Sequence, residues 1–474
     1  MTQNDLNISR LGPCLIKSPL HRFLESDDYA MSFVHDSDQV LFDPTSKAME
    51  IWRKQGEVLP GRPPGTAAPS ARPALSQAVP MLELAGPRSE IYFKPEEVRA
   101  AIVTCGGLCP GINDVIRSLT MELYYRYGVQ DIRGIRYGYR GFIERFGYQP
   151  MMLTPEAVHD IHRLGGSILS SSRGEQSSEE IAQFLKKHKI NCLFTVGGDG
   201  TMRAAREIAE YSERAGLKVS VVGIPKTVDN DILFIDHSFG FETAFSEAEK
   251  SIFSAHTEAH GAPNGIGLVK LMGRQSGFIA CYAALATTDV NFVLIPEVPF
   301  RLNGDGGFLA TLKERLERRG HAVIVVAEGT GQELMEGEPS GTDASGNPRL
   351  KDIGVFLKHK INAYFKELDV IVNLKYIDPS YMIRSVPASA PDSVYCFELA
   401  RHAVHAAMSG RTKMVVGRRH GFYVHLPMAL IGSGRKRVDP DGELWFAVLE
   451  ATGQPVSFHA RRPMNTGAKP RARA

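Results

Sequence analysis

Gly197–Thr201 set a glycine pair, one carboxylate, another glycine and a threonine side by side, in LFTVGGDGTMRAAREIAEY, between an apolar run and a helix-like pattern. Glycines at such a turn let backbone N–H groups approach phosphate oxygens, and the following helix aims its positive end at the same place. Bare phosphate would be repelled by an acid there. Asp199 therefore reads as a carboxylate ligand for Mg²⁺, direct or through water, on a bound polyphosphate. Its purely structural role would be a helix N-cap, which Thr201 could equally fill. A second glycine-rich turn, CGGLCPG from Cys105 to Gly111, has similar surroundings. Neither turn is a Walker A loop or a G-x-G-x-x-G fingerprint, and each alone could be a tight strand-to-helix turn.

The acceptor chemistry is written in GIPKTVDNDILF. An extended TVDND would place Asp229 and Asp231 on one side, because strand side chains alternate. Two carboxylates so close raise each other's pKa, which suits one to take a proton from a hydroxyl nucleophile, with Thr227 helping to hold the acceptor. The plainer alternative is an Asx-rich turn with solvated acids. LMGRQSG puts Arg274 just after a strand, and YIDPSYMIRS puts Tyr381 and Arg384 after another. Guanidinium forks there suit a phosphate on the acceptor, and Glu328, ending AVIVVAEG, suits sugar hydroxyls. Taken singly, these are also ordinary surface ion-pair residues.

The elements that position these groups alternate between apolar runs and helical patterns from Tyr92 onward, the pattern of an α/β fold with parallel sheets. VRAAIVT, DIRGIRYG, INCLFTV and KVSVVGIP read as strands. Helices are expected from about Ile112 to Tyr127 and over residues 202–216. A second set begins near Gly265, with strands GIGLVKLM, VNFVLIPE and HAVIVVAEG and helices SGFIACYAALAT and GGFLATLKERLERRG. Both glycine-rich turns thus fall at the carboxyl ends of parallel strands, where open α/β sheets bind ligands. Residues 59–88, rich in Pro, Gly and Ala, read as a linker or embracing arm, and 330–352 as a polar surface insertion. The expected organisation is an N-terminal extension over 1–94, a donor-binding lobe over 95–233 completed by part of 386–440, a sugar-phosphate lobe over 234–385, and a segment over 441–474 with a basic, solvated tail.

Composition limits the partners. The 474 residues are 43% apolar and 23% charged, and 55 Lys plus Arg against 53 Asp plus Glu give a net charge of +2. No bulk field favours nucleic acid or membrane, so an anionic ligand must be held locally. Six scattered cysteines are too few to staple the chain and indicate a reducing compartment, by default the cytoplasm. Cys105 and Cys109 lack a second ligand pair for zinc and read as small buried residues.

Together, CGGLCPGIND, GGDGT, PKTVDND, LMGRQSG and YIDPSYMIRS resemble the phosphofructokinase family over about residues 90–430, in particular the plant, kinetoplastid and bacterial branch related to pyrophosphate-dependent enzymes. The resemblance implies two Rossmann-like lobes with mostly parallel sheets. It also implies ATP and fructose 6-phosphate as substrates, Mg²⁺ as cofactor, an allosteric homotetramer, and a place in glycolysis. Residue by residue, it implies that Gly107, Arg173, Gly174, Gly198, Asp199, Gly200 and Thr201 meet the donor, with Asp199 serving the metal. Asp229 matches the general base, beside Thr227, Val228 and Asp231. Met272, Gly273, Arg274, Glu328, Tyr381, Met382, Ile383 and Arg384 match the sugar-phosphate side. Short bacterial relatives carry a cross-subunit arginine seven residues before Met272, where this chain has Gly265.

Gly200 and Lys226 are the positions that set the donor. A nucleotide's α-phosphate must pass close to the backbone after Asp199, and an aspartate at position 200 would add bulk and like charge, so Gly200 favours ATP. Lys226 points toward pyrophosphate, whose users typically pair a lysine here with an aspartate at the other position. Exclusion outweighs permission, because a clash forbids a ligand whereas a flexible ammonium can swing aside or bind a donor phosphate of either kind. The competing readings are a pyrophosphate-dependent phosphofructokinase, a non-catalytic regulatory homologue, and an NAD or diacylglycerol kinase using a similar GGDGT turn.

Overall fold

Continuous apolar runs in strands of this length are expected when both faces of a sheet are covered by helices. The computed structural model describes residues 3–23, 32–44, 80–337, 341 and 349–458. Residues 59–79 of the linker, 338–340 and 342–348 of the insertion, and the basic tail lie outside the described residues. Along the chain come β1 (Arg99–Thr104), α1 (Ile112–Met121), β2 (Asp131–Ile135), β3 (Met151–Met152), α2 (Ser178–Lys187), β4 (Cys192–Gly197), α3 (Asp199–Arg214) and β5 (Ser220–Pro225). Then follow α4 (Phe241–His260), β6 (Gly265–Leu271), α5 (Phe278–Thr287), β7 (Phe292–Leu294), α6 (Phe308–Arg319), β8 (His321–Ala327), α7 (Ile353–Glu367) and β9 (Asn373–Ile377). The last are α8 (Ala390–Met408), β10 (Met414–Arg419), β11 (Phe422–Pro427) and α9 (Glu443–Thr452). The helix expected through Tyr127 changes character at Glu122, where one π-helical stretch runs to Tyr127 before Gly128 ends it at φ 80°.

Two compact units result. One comprises Met1–Thr227, Ile232–Gly240 and Ser385–Arg435, the other Val228–Asp231, Phe241–Arg384 and Lys436–Ala474. The first holds a seven-stranded sheet in the order β11-β10-β5-β4-β1-β2-β3. Its five central strands are parallel and both outermost pairings antiparallel. The chain leaves β1 for β2 on one side and later returns to β4 on the other, so the order reverses between β1 and β4. Ligands of doubly wound sheets bind at such a reversal, and both glycine-rich turns leave the sheet there. The second unit holds the wholly parallel sheet β7-β8-β6-β9. No described helix is long and apolar enough to cross a membrane.

A partly buried ionic network ties the N-terminal arm into the first unit. Arg411, 1% exposed, donates to Glu83 and, at 2.7 Å, to Asp36. Arg88 reaches Asp36 at 3.0 Å and Glu83 at 3.2 Å, and Arg10 pairs with both acids. His425 Nδ1 lies 2.9 Å from Glu83 Oε1. Burial works against the charged form of Glu83, yet the His425 hydrogen bond and Arg411 hold its carboxyl far below the usual range. Asp36, likewise opposed by burial, is brought to about 2 by Arg411 and its neighbours. Burial pulls His425 down to about 4, so at neutral pH it is uncharged and its Nδ1–H donates to Glu83.

The network sets an acid limit on stability. An unfolded histidine binds its proton near pH ~6.5, whereas folded His425 resists down to about 4. The unfolded state therefore gains protons first as pH falls, and stability drops across that window. His402 and His405, also held low by burial, act in the same direction. Asp36 and Glu83 act below it, because their contribution is present above the ordinary carboxylate pKa and is lost as pH falls toward their depressed values. Urea midpoints should fall between pH 7 and 4, and His425→Asn, whose amide can still donate to Glu83, should make that fall shallower. An unchanged slope in the variant would assign the acid loss to other groups.

Candidate functional site

In the first unit the two glycine-rich turns are braced from below. After β1, Cys105 N donates to Val196 O at 2.9 Å and Gly106 N to Ser172 O at 3.2 Å. Ser171 Oγ donates to Gly106 O at 2.7 Å and Thr104 Oγ1 to Ser170 O at 2.9 Å. The serine run before Arg173 is thus the clamp on the first turn, and Arg173 and Gly174 emerge exposed beside it. Lys226 is buried, with Nζ donating to Gly107 O at 2.6 Å. It braces the first turn from within the first unit.

The second turn starts α3 three residues earlier than the apolar pattern suggested. Gly198 is the N-cap and supplies no side-chain cap, so neither Asp199 nor Thr201 is the N-cap and Asp199 is the first helical residue. Tyr139 OH fixes the turn by donating to Thr201 O at 2.9 Å. The glycines here answer to different constraints. A Cβ on Gly197 would lie 2.2 Å from Thr201 Oγ1, whereas one on Gly200 would meet only Arg203 Nη2 at 4.0 Å. Packing within the chain requires the first glycine and leaves open space at Gly200. Asp199 Oδ2 lies 3.5 Å from Arg435 Nη2, a residue the sequence reading passed over within its GRKR run.

In the second unit the predicted acceptor residues gather where β6, β8 and β9 end. Met272–Gly277 follow β6, Glu328–Thr330 follow β8, and Asp378–Arg384 follow β9. Gly273 takes φ +131°, and its Cβ would sit 2.4 Å from Ser276 O. Asp229 Oδ2 accepts from Arg274 N at 3.4 Å, and its carbonyl accepts from Ser276 Oγ at 3.0 Å. The chain around Asp229 is not extended. Val228 and Asp229 form a turn and Asn230 is left-handed at φ 55°, so strand alternation does not place Asp229 and Asp231 together. Asn230, whose short amide tolerates that conformation, is held by Lys436 Nζ at 3.0 Å, while Lys436 N donates to Asp231 O at 2.9 Å. Thr227, the last residue before this turn, belongs to the first unit and accepts on its carbonyl from Ser238 Oγ.

Electrostatics bind the cluster together. Burial raises the Glu328 carboxyl above its ordinary pKa, against the pull of Arg274, Lys270 and Arg384, whose charges all reach it. The Arg384 guanidinium lies 4.9 Å from the centre of the Tyr381 ring. Tyr381 and Met382 are largely exposed, while Ile383 is buried and anchors the loop. Lys270, which the sequence reading missed, bridges Asp378 at 2.9 Å and Asp352 at 3.0 Å; its signal was one cation inside an apolar strand. Gly265 has a packing cause, since a Cβ there would lie 2.0 Å from Ala259 O, so no arginine could be seated at that position.

Residues 99–407 match the Phosphofructokinase family. The chain is 46% identical over 463 residues, 96% of each chain, to the ATP-dependent 6-phosphofructokinase of Amycolatopsis methanolica. It is 45% identical over 460 residues, 96% of this chain and 98% of the other, to the protein of that name from Borreliella burgdorferi. Among solved structures, a pyrophosphate-dependent phosphofructokinase from Marinobacter aquaeolei aligns with TM-score 0.62 at 18% identity, covering 78% of this chain and 94% of its own. The T-state Pichia pastoris phosphofructokinase aligns with TM-score 0.57 at 19% identity, covering 81% of this chain and 39% of that one. At those identities the structures speak to the fold.

The glycine geometry separates packing from ligand space. A Cβ on Gly329 would lie 1.9 Å from Arg274 O, so Gly329→Ala should destabilise by roughly 1–3 kcal/mol or more. Gly200→Ala should leave the melting temperature nearly unchanged. Comparable melting losses for both in thermal denaturation would contradict the distinction.

Proposed function

The chain belongs to the phosphofructokinase family, and from that premise we propose that it is an ATP-dependent 6-phosphofructokinase acting in glycolysis. It transfers the terminal phosphoryl group of ATP to the 1-hydroxyl of fructose 6-phosphate, giving fructose 1,6-bisphosphate and ADP. The open space at Gly200 carries the choice of donor, because no packing contact within the chain demands a glycine there. Lys226 Nζ spends one of its three N–H donors on Gly107 O, so it stays beside the first turn whichever donor binds, and the choice rests on Gly200. Relatives of nearly the same length bear the ATP-dependent name.

Mg²⁺ is the cofactor in this reading. Among the described residues no group of three His, Cys, Asp or Glu side chains is arranged to hold a metal. A single carboxylate at Asp199 fits an ion that keeps waters and is shared with substrate phosphates. When bound, it supplies positive charge against the donor's phosphate oxygens. The first turn at Gly107, the amides of Gly198–Thr201, and Arg173 with Gly174 hold the donor. On the acceptor side Thr227, Val228 and Asp231 line the approach. Arg274 and Arg384 grip the 6-phosphate in fork geometry. Glu328 takes sugar hydroxyls, and Met272, Gly273 and Tyr381–Ile383 shape the sugar's seat. Asp229 removes the 1-hydroxyl proton as that oxygen forms its bond to phosphorus and the bond to the ADP oxygen breaks. Positioning and electrostatic stabilisation supply most of the acceleration. A cytoplasmic, allosteric homotetramer completes the proposal.

The test is a coupled assay with fructose 6-phosphate, Mg²⁺ and either ATP or pyrophosphate. Turnover with ATP is expected, and turnover with pyrophosphate alone would reverse the donor assignment. Asp229→Ser should lower kcat by about 10²–10⁴-fold with ATP affinity nearly intact; wild-type turnover would remove it as the base. Gly200→Asp should damage ATP use through bulk and like charge, and unchanged ATP kinetics would end the steric argument.

A further inference from the structure

We propose that Arg435 is a further donor-binding residue, a guanidinium kept on Asp199 until the donor arrives and then engaged by the donor's phosphate oxygens. The assignment rests on the phosphotransferase reading above. Arg435 lies within the first unit, and its backbone is fixed by an antiparallel bridge to Ile232. The segment leading to it runs along the first turn of α3, where a Cβ on Gly432 would meet Arg203 Cγ at 3.3 Å. Arg203 in turn is the side chain nearest the open space at Gly200. Asp199 therefore sits at a helix N-terminus with the Arg435 guanidinium at 3.5 Å, and Arg203 lies beside the next residue, Gly200.

The geometry of the pair differs from that of the ionic network around Arg411. Arg411 is 1% exposed and forks onto two acids, one at 2.7 Å. Arg435 and Asp199 are 29% and 18% exposed and meet at 3.5 Å. Charge-assisted hydrogen bonds at their strongest are about 2.7–2.9 Å, so this contact is long, and it is partly open to solvent. A cation brought to Asp199 with the donor repels the guanidinium already there. The planar fork of arginine then matches the nearest anion of its own geometry, a phosphate. Arg435 thus balances Asp199 in the donor-free protein and balances the donor afterwards.

Calorimetric titration of the full chain with MgATP, MgADP and AMP, without fructose 6-phosphate, tests this. Arg435→Gln should weaken MgATP by about ten-fold or more, the loss expected for one charged hydrogen bond, and leave AMP within about two-fold. Arg435→Lys should fall between, and it decides the matter should the glutamine variant lose fructose 6-phosphate binding and so prove misfolded. Wild-type MgATP affinity in a folded variant, or an equal loss for AMP, would overturn the assignment. A wild-type chain that binds MgATP yet transfers nothing to fructose 6-phosphate would overturn the proposed function and leave Arg435 to be judged by the MgATP titration alone.

Discussion

The chemistry-bearing loops depend on one steric constraint: backbone segments at the carboxyl ends of the parallel strands approach more closely than any Cβ allows. In the second unit Gly329 lies against the Arg274 carbonyl and Gly273 against that of Ser276, while Glu328 N and Gly329 N donate to Leu271 O and Gly273 O. The ends of β6 and β8 are thereby locked without the help of large side chains. In the first unit Gly197 abuts Thr201, and the serine run holds Gly106. Short glycine loops fixed in this way hold their backbone in one arrangement, which suits a site that binds an anion without reorganising.

The second device that orders the first unit is electrostatic, and its logic differs. Burying Arg411 and Arg88 with Glu83 carries a desolvation cost that ion pairs in general barely recover. Here three arginines and a neutral histidine share two carboxylates, so most lone pairs and donors are satisfied. Its main product is specificity of docking. An arm whose own strands are only two or three residues long could slip in register on hydrophobic contact alone, whereas forked guanidinium pairs fix one alignment.

Legibility in the sequence followed the same division. The glycine motifs, the apolar strands and the positions of Asp199, Asp229, Arg274 and Arg384 could be read because turn chemistry and strand burial leave local signals. Helix α4 could not, although it has twenty residues. Its buried face is largely Ala244, Ala248, Ala255 and Ala259, which carry little hydropathy. Those small residues are present because β6 packs so closely that Gly265 and Gly267 touch the helix backbone. The turn at Asn230 stood only as the alternative reading, because D-N-D alternates like a strand in sequence as well as suiting an Asx-rich turn, and the tether from Lys436, more than two hundred positions away, is invisible locally. The ionic network joins residues 10, 36, 83, 88, 411 and 425, a separation no local pattern encodes.

A net charge near neutral leaves recognition to local arrangement, and under the proposed function the charges of the acceptor cluster would favour a sugar phosphate over bare phosphate. Lys270, Arg274 and Arg384 lie among Glu328, Asp352 and Asp378, so the cluster is a mesh of opposed charges instead of a uniformly cationic field. A phosphate that draws on Arg274 and Arg384 weakens their attraction for Glu328, whose carboxyl burial already disfavours in its charged form. Inorganic phosphate returns nothing for that loss. A phosphorylated sugar brings hydroxyl donors on the same molecule, and a hydroxyl bonded to Glu328 restores the stabilisation of its charge. The cations supply attraction for the phosphate, and the buried acid makes that attraction conditional on the sugar.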